Sequence, residues 1–238
     1  MFRLTACFVA FCASVSGSAA LAGAWARTPG EVFLSFSTAM STDLEALSLG
    51  ALDPVRYDSA YLEYGLGQRL TFGLDLGRGE YVQEAMAFLR YTITPPDTRL
   101  QLAGDIGAGR RSVEVLGDST LLRAGLSVGY GFSLEPRRWL PQGLSGGWAS
   151  VDAVAIWDMD RDENRWKVEA TLGLSASDRL SLMIQAVAEQ WPGLDVGYSL
   201  NPSVVVQIGQ RSSLELGVRT TLSDDPEVGL ELGFWRRF

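Results

Sequence analysis

The chain has 238 residues, 47% of them apolar and 20% charged, with 26 glycines and 9 prolines; this composition suits one large domain or two small ones and excludes a disordered chain. Twenty cationic side chains against 28 acidic ones give a net charge of -8 with no basic run, which argues against a nucleic-acid partner. Histidine is wholly missing, and with it go imidazole bases, Ser/His pairs and histidine-ligated zinc, hence most hydrolase chemistry.

Met1, Phe2 and one cation, Arg3, precede an uncharged apolar stretch from Leu4 to Val15, followed by small residues from Ser16 to Ala20 and the triplet Ala20-Leu21-Ala22. This is the layout of a secretory signal peptide. Twelve apolar residues are too few for a spanning helix, which takes about 20, so a cleaved signal is expected rather than an uncleaved anchor. Cleavage after Ala22 would leave 216 residues, 23–238, as one domain of net charge -9. Cys7 and Cys12 depart with the signal, so no disulfide framework is available and stability must come from a large core or a closed sheet.

Beyond residue 22 no apolar run reaches 18 residues, and the recurring pattern has period two. Leu100, Leu102, Gly104, Ile106 and Ala108 alternate with Gln101, Ala103, Asp105, Gly107 and Gly109. From Leu122 to Phe132 an apolar parity opposes Arg123, Gly125, Ser127, Gly129 and Gly131. Trp166, Val168, Ala170, Leu172 and Leu174 stand against Lys167, Glu169, Thr171 and Gly173, and Leu214, Leu216 and Val218 against Glu215, Gly217 and Arg219. Such alternation predicts strands near 31–39, 58–66, 68–77, 84–94, 98–109, 119–133, 147–158, 164–175, 178–190, 195–208, 211–222 and 227–238.

Four connections pass directly from a short polar turn into a strand, at Gly67 to Leu70, Asp97 to Leu100, Ser177 to Leu180 and Gln210 to Leu214. The others are longer or more acidic: 40–57, Arg78 to Gln83, Arg110 to Asp118, Met159 to Glu163 and Ser223 to Pro226. Alternating short turns with longer loops describes an up-and-down antiparallel meander. The connection from Glu135 to Gly146, with Pro136, Arg137, Arg138, Trp139 and Pro141, falls among the short turns by parity although it is long. About twelve strands are therefore expected, with ten and fourteen as the neighbouring even counts.

Alternation alone leaves open whether the apolar face points inward, as in a soluble exported barrel holding an apolar ligand, or outward into lipid. The polar face is rich in glycine, and Lys167 is the sole lysine after residue 22, an odd outer surface for a soluble barrel. Trp157, Trp166, Trp191, Tyr198, Phe132 and Phe238 sit at expected strand ends, as interfacial girdles do. The last segment alternates Val228, Leu230, Leu232 and Phe234 with Glu227, Gly229, Glu231, Gly233 and Trp235, and stops on Phe238.

In these features the sequence resembles bacterial outer-membrane β-barrel proteins, whose last strand ends in an aromatic residue read by the barrel-assembly machinery. Arg236 departs from that pattern, standing where an apolar or aromatic residue is usual. The resemblance implies an all-β, single up-and-down transmembrane barrel, a bacterial outer-membrane location, outer-membrane lipid as surroundings and recognition by the assembly machinery through Phe238. It is physically consistent, because in hydrocarbon a sheet survives only if closed.

With the apolar parity toward lipid, the candidate pore-lining set is Glu63, Asp75, Arg90, Asp105, Arg123, Asp152, Lys167, Glu169, Glu189, Glu215, Arg219 and Glu231. Eight acids and four bases suit either a water-filled passage with a mild cation preference or a braced, closed interior of paired charges. Asp158, Asp160 and Asp162 have the oxygen spacing that opens a calcium loop, but Glu163 stands where glycine is required, so a solvated acidic loop is expected. Asp224, Asp225 and Glu227 read the same way. Lys167 near Thr171 has no distinctive catalytic spacing, and the strand glycines lack a following helix, so no phosphate loop is present. No enzyme activity, cofactor or metal is expected, and no pattern sets an oligomeric state. Porin-like diffusion of small solutes, or a structural envelope role, is the function the sequence suggests.

Overall fold

The computed structural model describes residues 23–50, 54–135, 143–222 and 226–238. Among them the strands are β1 Val32–Asp43, β2 Val55–Gly65, β3 Leu70–Arg78, β4 Val82–Thr92, β5 Leu100–Val113 and β6 Gly117–Ser133. The second half comprises β7 Gly146–Asp158, β8 Glu163–Ser175, β9 Leu180–Gln190, β10 Gly197–Gln207, β11 Ser212–Thr221 and β12 Glu227–Arg237. Each pairs antiparallel with its chain neighbours, and β1 pairs with β12 from Phe33↔Arg237 to Asp43↔Glu227, closing a twelve-stranded barrel. Closure leaves no strand edge unpaired, the condition for a sheet in lipid.

Every expected strand is present. The largest differences lie at one end of the barrel, where β1 runs on to Asp43, β2 starts at Val55 and β5 continues to Val113. A single helical turn, α1 Leu44–Ser48, follows β1; the Asp43 carboxylate caps it by accepting the Ala46 N–H at 2.7 Å. The signal segment, Pro136 to Pro141, and Asp224 with Asp225 lie outside the described residues.

The wall has two chemically distinct faces. Mid-strand residues of the apolar parity are open to the surroundings: Ile106 is 70% exposed, Leu126 67%, Leu230 64% and Leu216 62%. A continuous oily belt of this kind is what a soluble monomer avoids and a bilayer requires. Tyr64, Phe72, Tyr91, Tyr130 and Phe132 share this parity toward the end that carries the chain termini, and Trp157, Trp166 and Tyr198 toward the other. Trp191 departs from the expected girdle: its ring meets the guanidinium groups of Arg111 and Arg165, which belong to the inner face.

Glycines let the inner face accept large rings. Gly73 lies directly opposite Phe88, and Gly173 opposite Trp148; a methyl group at either would occupy the facing ring. Pro202, in the middle of β10, lacks an N–H, and the β10–β11 pairing passes from Leu200↔Thr220 to Ser203↔Gly217 around it.

Candidate functional site

Register places Glu63, Asp75, Arg90, Asp105, Arg123, Asp152, Lys167, Glu169, Glu189, Glu215, Arg219 and Glu231 on one and the same face of the closed sheet. That face is the inside, because Arg165 on β8 reaches Glu84 on β4, four strands away, by a hydrogen bond that must cross the lumen. The interior that an apolar ligand would need is therefore occupied by charge.

Within it, four of these residues form a chain. Arg90 Nη1 donates to Glu63 Oε1 at 2.6 Å, Arg90 Nε stands 3.9 Å from Asp105 Oδ2, and Arg123 Nε donates to Asp105 Oδ1 at 2.7 Å. The Tyr61 hydroxyl donates to Glu63 at 2.6 Å, and the Phe88 ring lies between Arg90 and Arg123, 5.0 and 4.5 Å from their guanidinium carbons. Glu63, Arg90 and Asp105 are buried, so their charges depend on each other rather than on water. Lys167 donates to Glu169 at 2.9 Å, and Gln185 donates to the other oxygen at 2.8 Å. Asp75, Asp152, Glu189, Glu215, Arg219 and Glu231 make no ion pair within 4.0 Å among the described residues.

A second cluster, not anticipated from the sequence, sits toward the end opposite the termini. Glu84 takes Arg111 at 3.0 Å and also Arg165, and both guanidiniums lie over the Trp191 ring. Arg111 stands 3.9 Å from Asp158, which accepts from Ser119 at 2.7 Å and from Arg161 Nη1 at 2.9 Å. Asp158 also accepts the backbone N–H groups of Asp160 and Arg161, and Asp160 accepts that of Thr120. Asp162 adopts a positive φ of 54°, a conformation aspartate tolerates. Asp158 and Asp160 thus spend oxygens on fastening the loop to itself and to the neighbouring β6, and no grouping of three metal-ligating side chains occurs among the described residues.

The largest departure from the sequence reading is the segment 23–31, which contains no strand and runs inside the barrel. Thr92 donates to the Ala24 carbonyl at 3.1 Å, the Arg27 N–H donates to Thr71 at 3.2 Å, and Arg27 Nε lies 2.5 Å from Glu63 Oε2. The Trp25 ring rests on Gly129, the Thr28 carbonyl on Gly65 and Gly23 on Asp152, so closely that a methyl group at any of the three glycines would collide. Gly30, at φ 84°, turns the chain out of the lumen and donates to the Gly65 carbonyl at 2.9 Å. Ala24 and Arg27 are buried.

The segment packs unevenly. Many inward residues of β2 to β7 are buried, among them Thr71, Phe88, Gln101, Ser127 and Trp148, while Asp75, Arg123 and Asp152 are partly exposed. On β8, β9, β11 and β12 the inward Lys167, Glu169, Gln185, Glu189, Glu215, Arg219 and Glu231 keep partial or full exposure. The lumen is thus more filled on the β2–β7 side, while on β8, β9, β11 and β12 the expected lining residues comprise four carboxylates and two cations, joined by the inward Arg165 and Arg237.

No protein family profile matches the sequence, and no curated protein matches it in sequence. Solved structures do. The barrel is similar to the KdgM porin, with a TM-score of 0.59 at 6% identity over 86% of this chain and 99% of that one. The NanC porin gives a TM-score of 0.59 at 7% identity over 84% and 98% of the two chains. An outer membrane channel from Pseudomonas putida gives 0.53 at 13% over 93% and 100%, and LpxR from Salmonella typhimurium gives 0.53 at 9% over 85% and 99%. At such identities the likeness is one of fold: the chain has the architecture of bacterial outer-membrane β-barrels, porins prominent among them.

Proposed function

We propose that this chain is an exported outer-membrane barrel that works as a narrow, porin-like passage for small solutes, with a mild preference for cations. The observation that carries the reading is the asymmetry of the interior. Segment 23–31 and the Glu63–Arg90–Asp105–Arg123 chain fill the β2–β7 side, while Glu169, Glu189, Glu215 and Glu231 line a less packed side with Lys167 and Arg219. A strip of carboxylates beside a filled wall attracts cations and keeps the passage narrow. Outer-membrane lipid faces the apolar belt, and Phe238, 52% exposed at the end of β12, is the residue offered to the assembly machinery.

Purified protein in planar bilayers tests this. Small, discrete conductance steps with a cation-selective reversal potential are expected. A silent bilayer would instead support a second reading, a closed structural barrel, which the buried chain of paired charges favours.

A further inference from the structure

Asp152 is an inner-face carboxylate with an unmet electrostatic need. It stands on β7 directly opposite Glu169 of β8, a like-charge cross-strand pair that is destabilising unless something intervenes. Glu169 is already satisfied by Lys167 and Gln185. Asp152 makes no ion pair within 4.0 Å among the described residues; Arg90, a cation of the neighbouring inner face, is committed to Glu63 and Asp105. The backbone of Gly23 lies against the Asp152 carboxylate, and Gly23 is the residue that follows Ala20-Leu21-Ala22.

We propose that Asp152 is the binding site for the protein's own processed amino terminus, the α-ammonium group of Gly23. The inference rests on the reading of residues 1–22 as a cleaved export signal. Hydrolysis of the Ala22–Gly23 peptide bond by an export-associated peptidase adds one water, leaving a carboxylate on Ala22 and an ammonium on Gly23. The new cation appears where the interior has a carboxylate without a cationic partner and with a like-charged neighbour. Processing precedes barrel closure, so the free end is available to be enclosed. Once held, the ammonium anchors the inner end of the segment that Arg27 pins to Glu63 and Gly30 turns back into β1. Export processing and closure of the lumen are thereby linked: only a chain cut at this bond carries a charge at the position Asp152 serves.

The experiment exploits the scarcity of amines. After residue 22 Lys167 is the sole lysine, so reductive methylation with labelled formaldehyde gives two NMR signals, one from Lys167 and one from the amino terminus. Protein purified from outer membranes is expected to begin at Gly23 by intact mass. Its α-amine, ordinarily titrating near about 7.7–8.0, is expected to titrate at least about one pH unit higher, as a group beside an opposite charge does. In Asp152→Asn the midpoint should return toward the ordinary range, while Asp152→Glu should retain the rise. A mature chain beginning elsewhere overturns the proposal together with the processing reading. A chain beginning at Gly23 whose α-amine titrates normally, or identically in Asp152→Asn, overturns the pairing and leaves processing intact. If Asp152→Asn does not assemble, the wild-type midpoint alone decides.

Discussion

The guanidinium of Arg27, in the segment that enters the barrel, lies 2.5 Å from the Glu63 carboxylate of β2, whose other oxygen takes Arg90 at 2.6 Å. One buried anion thus holds two cations, one belonging to the wall and one to the insert. Glu63→Ala takes the closest carboxylate away from two buried guanidiniums and is expected to destabilise the barrel by about 3–5 kcal/mol. Arg27→Ala leaves Glu63 paired with Arg90 and Tyr61, so its loss should be smaller, while bilayer conductance should rise as the insert loosens. Unfolding in detergent micelles and single-channel recording separate the two effects; equal destabilisation by both variants would remove the central role of Glu63.

Trp25 is seated on Gly129. Gly129→Ala displaces the ring, and conductance should increase with little change in barrel stability, because the seat belongs to the insert rather than to the strand pairing. Gly173→Ala, in contrast, drives a methyl group into the Trp148 ring inside the wall. It should destabilise by roughly 1–3 kcal/mol, as overpacking does. Thermal loss of the compact, heat-modifiable gel form measures both.

The charge strip makes a directional prediction. Glu215→Gln and Glu231→Gln, on the looser side, should each lower cation preference, and Arg219→Glu should raise it. Arg123→Glu acts differently. Arg123 is tied to Asp105 at 2.7 Å, so reversing it places two carboxylates together in the filled half. The effect should appear in stability more than in reversal potential. A reversal potential unmoved by all three changes at Glu215, Glu231 and Arg219 would take the β11–β12 face out of the permeation path.

The twelve strands were legible because a half-lipid, half-aqueous wall forces period two, and the faces of Leu122 to Phe132 and Trp166 to Leu174 differ sharply enough to show it. The ends were less legible where strands outrun the apolar belt. At Met40–Asp43 and Arg110–Val113 both faces carry polar groups, Arg110 outward and Arg111 inward, and the contrast that marks a strand fades. The inward residues followed from parity alone, but their partnerships did not. Nothing in the sequence distance between Glu84 and Arg165 indicates that they meet across the lumen. The insert was missed for a related reason. Segment 23–31 has no periodicity, and only Trp25 and Arg27, a bulky ring and a cation just after the expected cleavage site, hinted at an enclosed environment.

The outward direction of the apolar parity underlies the whole architecture, and carbene labelling from photoactivated lipid probes tests it most directly. Among neighbouring residues, Ile106, Leu172 and Leu216 should be tagged, and Asp105, Lys167 and Glu215 should stay clear. Tagging of the second set with the first protected would contradict the account.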